Sequence, residues 1–213
     1  MKKKMKKMNS KGFTLVELLA VITIMGVLML VAIPAVSRTI ENTRRDTFMN
    51  TAKSYINAVK NSVAADEIQC GSGASSYMLS AGGTGYYYIK FDSAQTSGQD
   101  LMEQGGKSSW GNKTEVRGWI VVNKVADGTR NKYNYAIMMV DSAGRGIGSA
   151  SNDGTPIKLI SEAKLARSDV KSKDGDGRKK FYDNNFGKNP TTTTKVDSAT
   201  DASPTATDCQ VIM

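Results

Sequence analysis

The residues able to do chemistry in this sequence are few, and the most telling lie near its N-terminus. Gly12 and Phe13 form the junction between a lysine-rich stretch and a long apolar run, and a small residue at such a junction suits a peptidase. Four residues further on, Glu17 is the one charged side chain between Phe13 and Val36. An acidic group in a lipid-embedded helix is unfavourable, by about 2.5 to 3.5 kcal/mol at the helix centre and less near an end, so it seeks a positive partner. Cleavage after Gly12 would create one, the free amine of Phe13, in the same chain or in an adjacent copy. Two other readings stand beside it: the carboxylate snorkels to the interface, or it favours the positive end of its own helix.

Elsewhere the chemistry is sparse. The chain has no histidine, which removes Ser-His and Cys-His catalysis and imidazole metal ligation. Its two thiols, Cys70 and Cys209, cannot build a four-thiolate zinc or iron–sulfur centre. Gly106-Lys107-Ser108 resembles the end of a phosphate-binding loop, but Leu101 stands where the first glycine is required and no strand precedes it. Asp174-Gly175-Asp176-Gly177 resembles a calcium loop, yet Arg178 replaces the third acidic ligand and Asn185 the closing glutamate, so a solvated turn is expected. Asn112-Lys113-Thr114 meets a glycosylation pattern too short to carry weight. Trp110 and Trp119 are read as core rather than surface anchors. No catalytic constellation, metal site or cofactor is expected.

The elements that position these residues follow from patterning. Residues 1–12 hold six lysines, and residues 18–37 are 20 uncharged, mostly apolar positions, enough for a helix about 30 Å long that crosses a membrane. Six lysines before that run outweigh Arg38, Arg44 and Arg45 after it, which keeps the N-terminus cytoplasmic and exports the rest. The formal charge of +9 belongs mostly to this leader; without its six lysines +3 remains, no footprint for a nucleic-acid backbone. An ordinary secretory signal places its cleavage site after the apolar run. Here Gly12 precedes it, so the helix survives the cut.

Beyond Ser37 the helical period continues, with Ile40, Phe48, Ala52, Tyr55, Ile56, Val59 and Val63 on one stripe. One helix from about Thr14 to Ala65 is expected, apolar all round at first and amphipathic afterwards. A head then begins near Cys70. Residues 86–91, 116–125 and 132–140 read as strands, the last half-buried, with Asp127-Gly128 turning a hairpin and 147–150 a weaker fourth strand. Thr155-Pro156 opens a short helix through Ala166. From Ser168 the composition turns polar, and 189–207 holds seven threonines, so loop or disorder is expected. The expected fold is α+β, a long N-terminal helix against an antiparallel sheet. Its divisions are a cleaved leader (1–12), a membrane or filament-core helix (13–37), the amphipathic half of that helix (38–69) and the head (70–213). Cys70 and Cys209 bracket the head across 138 intervening residues, and outside the cell they would close it as a disulfide; two free thiols are the alternative.

Lys11-Gly12-Phe13-Thr14-Leu15-Val16-Glu17-Leu18, followed by the apolar helix, resembles the class III signal of type IV pilins and pseudopilins. The likeness covers the first 35 to 40 residues and nothing of the head. It implies cleavage by prepilin peptidase between Gly12 and Phe13, N-methylation of Phe13, and pairing of Glu17 with the Phe13 amine of a neighbouring subunit. It also implies that Gly26 and Pro34, both helix-weakening, mark where the helix loosens on assembly. The expected function is a pilus subunit, a single-pass precursor in the cytoplasmic membrane that becomes part of an extracellular filament. Its partners would be copies of itself, other pilins, and an assembly platform with its ATPase; host-surface or DNA contact is left open. The alternatives are a pseudopilin of a type II secretion or DNA-uptake system and a membrane-anchored surface binding protein. Related pilins commonly carry a C-terminal disulfide loop, but the resemblance does not assign these two cysteines.

Overall fold

The computed structural model describes residues 12–71, 73–93, 106–111, 115–150, 152, 154, 156–186 and 207–212. The leader lysines, the Asn112 glycosylation pattern and the threonine-rich 189–206 lie outside them. Helix α1 (Leu15–Ala64) is 50 residues long and includes Pro34. The chain divides into two compact units, Met1–Glu41 and Asn42–Met213.

In the first unit the apolar side chains have no protein around them. Leu19, Val21, Ile22, Val27 and Leu28 are each more than half exposed. Ile40 falls in this unit too and is 46% exposed, so it is not part of the core stripe expected of it.

In the second unit α1 contributes Phe48, Ala52, Tyr55, Ile56 and Val59, all fully buried. They pack on a sheet whose strands are β1 (Ile68–Cys70), β2 (Tyr77–Met78), β3 (Gly85–Asp92), β4 (Val116–Asp127), β5 (Arg130–Asp141), β6 (Gly146–Ile147), β9 (Ile160–Ser161) and β10 (Thr207–Val211). The order is β2-β1-β10-β3-β4-β5-β6, with β9 also on β5. Every pairing is antiparallel except β10 with β3. The β4–β5 hairpin is the longest ladder, from Val116↔Asp141 to Asp127↔Arg130. A separate pair joins β7 (Ser149–Ala150) to β8 (Pro156–Lys158).

The sheet is covered on both faces, and here the half-buried expectation for β5 fails. Ile137 and Met139 enter the core beneath α1, while Ala136, Met138 and Val140 enter a second core with Trp119, Val121, Leu159, Phe181 and Tyr182. The second cover is helix α2 (Arg178–Phe186), where loop or disorder was expected. Its aromatic residues Phe181, Tyr182 and Phe186 return to one side at helical spacing, a signal that the surrounding lysines and asparagines dilute.

Two further expectations are corrected. Residues 156–166 form no α-helix: β8, β9 and a 3₁₀ turn at Glu162–Lys164 replace the helix expected from Thr155 to Ala166. Leu159 belongs to one core and Ile160, paired with Ile137, to the other, and only the two-residue period of extended chain sends adjacent side chains to opposite faces. The single strand expected at 147–150 is broken into β6 and β7. Gly148 between them has φ +92°, a left-handed conformation that ends the ladder and favours glycine.

Candidate functional site

The N-terminal residues are built as follows. Gly12, Phe13 and Thr14 precede α1 in non-helical conformation, and all three are exposed; Phe13 is 90% accessible. The Gly12–Phe13 bond is thus exposed on both sides. Helix α1 then starts with reciprocal bonds between Thr14 and Glu17. The Glu17 Oε2 accepts from Thr14 N at 2.8 Å and from Thr14 Oγ1 at 2.8 Å, while Glu17 N donates to Thr14 Oγ1 at 3.3 Å. This is a capping box, threonine followed three residues later by glutamate. The Thr14-x-x-Glu17 spacing was present in the sequence and was missed there. Here the carboxylate serves as a partner for the Thr14 N–H and hydroxyl at the helix start. Gly26 and Pro34 both lie within α1, and nothing comes within 4 Å of where a Gly26 side chain would begin.

At the far end of the chain, β1 and β10 place Cys70 opposite Cys209 in register, and the two are joined by a disulfide. Both are buried in the core beneath α1. The bridge therefore staples the C-terminal strand into the middle of the sheet, between β1 and β3.

The charged groups buried in the head are all committed to holding it together. Asp141, fully buried, accepts from Ser108 Oγ at 2.8 Å, Ala143 N and Arg145 N at 3.0 Å each, and Arg145 Nε at 2.8 Å. Lys124 gives its three ammonium protons to the carbonyls of Leu79, Ser80 and Gly82, at 3.0, 2.7 and 2.6 Å. Arg117 binds Asp92 and lies over the rings of Tyr182 and Phe186. The Gly106-Lys107-Ser108 stretch is part of the packing: Gly106 N donates to the Tyr55 hydroxyl at 2.9 Å. Trp119 is a core residue and Trp110 packs partly buried against Phe48. Among the described residues no group of three or more Cys, Asp or Glu side chains is placed to hold a metal ion.

One polar cavity of about 140 Å³ opens on the head, lined by Lys60, Tyr133, Asn134, Tyr135, Ser161, Glu162 and Ala163. Lys60 pairs there with Glu162 and lies over the Tyr135 ring. Burial, with lesser contributions from Tyr133 and Glu162, pushes the Tyr135 phenol up to about 12. A phenol so raised stays protonated at neutral pH, and an ammonium already bonded to a carboxylate is no free nucleophile.

What the chain presents outwardly is thus an exposed junction, a capped apolar helix and a stapled head. Neither a curated protein nor a solved structure matches it. A family model does match, over residues 7–33, and it describes the prokaryotic N-terminal methylation motif. Those residues include Gly12, Phe13, Glu17 and Gly26. The α+β arrangement, a long N-terminal apolar helix with a mostly antiparallel sheet, agrees with the pilin fold. The chain carries, at residues 7–33, the class III signal that characterises type IV pilins and pseudopilins.

Proposed function

We propose that this chain is the structural subunit of a type IV pilus. Prepilin peptidase removes residues 1–12, Phe13 is N-methylated, and the mature protein waits in the cytoplasmic membrane on residues 13–37. An assembly platform with its ATPase then transfers it into a helical surface filament of like subunits, other pilins included. The helix continues through residues 38–64 and, of the expected 38–69, the last residues instead turn and enter β1, leading into the head, residues 70–213, which is displayed outside. The observation that carries the reading is the uncovered apolar surface of α1 directly after a processing motif: hydrocarbon or sister helices must cover it, and exchanging one for the other leaves it dry throughout.

Glu17 is the register device. In the uncut chain it bonds Thr14, and after cleavage the Phe13 amine of an adjacent subunit becomes the stronger partner. An ion pair in an apolar core is tolerated only when complete, and deleting one member costs about 3 to 5 kcal/mol. Gly26 and Pro34 supply the place where the packed helix loosens. The head brings no catalysis to this role.

Electron microscopy with an antibody to the head tests the proposal. Long decorated fibres are expected, and Glu17→Leu should insert in the membrane normally yet leave the cells bare. Processed protein without fibres would contradict the pilus reading and point to a pseudopilin of a secretion or DNA-uptake machine, or to a membrane-anchored surface binding protein. Normal fibres from Glu17→Leu would remove Glu17 from the mechanism.

A further inference from the structure

The acidic turn at Asp174-Gly175-Asp176-Gly177 is wrapped around a guanidinium. Arg178 is only 2% exposed, and each of its three side-chain nitrogens donates to a different oxygen. Nε reaches Gly144 O at 2.9 Å, Nη1 reaches Asp176 Oδ2 at 3.0 Å, and Nη2 reaches Lys173 O at 2.7 Å. Two carbonyls and a carboxylate converging on one buried positive centre are the hard-oxygen donors a divalent cation takes. A second carboxylate stands close by: Asp174 Oδ1 accepts from Gly175 N at 2.8 Å and Lys179 N at 3.1 Å. It also lies where a side chain on Gly144 would begin, 2.3 Å from that position.

The backbone is shaped for this arrangement. Asp176 and Gly177 both adopt left-handed conformations, φ +51° and +69°, and for aspartate that is strained. Gly144, at φ +75°, turns its carbonyl to Arg178 while leaving room for Asp174. The consequences reach beyond the turn. Asp176 O accepts from Ala150 N at 2.7 Å, and Arg178 is the first residue of α2, the cover of the second core. The Arg178 side chain thereby ties the 141–146 turn to the turn before α2, whose backbone in turn bonds Ala150 of β7.

We propose that the Arg178 guanidinium is a built-in cation, occupying as part of the chain the place a calcium ion would take among Asp176, Lys173 O and Gly144 O, so that α2 and its loops are set without metal. The turn itself is exposed, as the sequence led one to expect, with the Asp176 side chain 63% accessible, and it encloses a charge of its own. A guanidinium suits the task because its planar fork serves three acceptors at fixed angles and never loses its proton.

The test is thermal unfolding of the full-length chain in detergent, followed by tryptophan fluorescence from Trp119, with either excess calcium or excess chelator. The native chain should show one midpoint in both. Arg178→Ala should unfold several degrees lower in chelator, and calcium should recover part of that loss by entering the vacated place; Arg178→Lys, which keeps a charge but loses the fork, should fall between. A native midpoint that moves with calcium would overturn the proposal. So would Arg178→Ala with an unchanged midpoint, or a destabilised variant indifferent to calcium. If Arg178→Ala fails to fold, the same comparison on Arg178→Gln, which keeps most of the side chain but removes the charge, decides: a calcium-dependent midpoint supports the proposal and an indifferent one contradicts it.

Discussion

Helix α1 carries two apolar surfaces, one all round its first stretch and one a single stripe on its second, that meet opposite surroundings. Between Phe13 and Val36 the large apolar side chains are all more than half exposed, whereas Phe48, Tyr55, Ile56 and Val59 are wholly buried. Both stretches belong to one continuous helix, so secondary structure does not make the difference. The second stretch has its partner in the same chain, a sheet whose inner face supplies Ile89, Phe91, Ile120, Ile137 and Met139. The first has none. Burying one large apolar side chain is worth about 1.5 to 3 kcal/mol, so sixteen of them represent on the order of 20 kcal/mol or more. The proposed function supplies the missing cover as lipid or other copies. On the proposed function one helix serves two solvents, and cleavage at Gly12 would replace a start with six lysines by a single amine.

Breaking that junction has the largest expected effect. Gly12→Glu should leave all of the precursor uncut, visible as a mass that retains the leader, whereas Gly12→Ala is still processed; tryptophan fluorescence of the head should be native in both. Normal processing of Gly12→Glu would contradict the assignment. Within the helix, Phe48→Ala should lower the unfolding free energy of the head by about 3 to 5 kcal/mol, because it leaves a cavity against Trp110 and the sheet. Leu28→Ala, in the first stretch, should leave that denaturation curve unmoved. Equal effects would erase the distinction between the two stretches.

The staple ranks next. Opening it with Cys70→Ser should cost the head about 2 to 5 kcal/mol, since closing a loop of this size restricts the unfolded chain and holds β10 in mid-sheet. Urea unfolding without reductant measures it, and coincident curves for variant and native protein would show the bridge idle. The smallest effect concerns Tyr135. Its phenol is raised from 10 to about 12, so the folded state holds the proton more tightly than the unfolded state does. That stabilisation is fully present below pH 10 and is lost as pH climbs through 12. Tyr135→Phe should therefore flatten the alkaline fall in stability, and an unchanged fall would assign it to other groups.

Local features were legible in the sequence where local rules decide. The apolar run, its continuation as a stripe, the hairpin around Asp127-Gly128 and the three main strands follow from periods of 3.6 and 2 within single segments. What escaped depends on partners far along the chain. β10 is a strand only because β1 and β3 flank it, some 140 and 120 residues earlier in the chain, and nothing in Asp208-Cys209-Gln210 announces that slot. The apolar Ala136, Met138 and Val140 implied a second covered face, but the helix that covers it is mostly lysine, asparagine and aspartate by count. Ile160 was drawn into a helical pattern that its pairing with Ile137 overrides. At the N-terminus the failure was different: the positive helix end was weighed for Glu17, but the Thr14-x-x-Glu17 spacing that makes it a capping pair was overlooked.

The central claim is that the apolar helix outlives its leader and remains joined to the head. Intact-mass and N-terminal analysis of protein sheared from the cell surface addresses it directly. The account predicts a single species that starts at an N-methylated Phe13 and runs through the helix into the head. A species still bearing Lys2, Lys3 and Lys4, or a head released without residues 13–37, would contradict it.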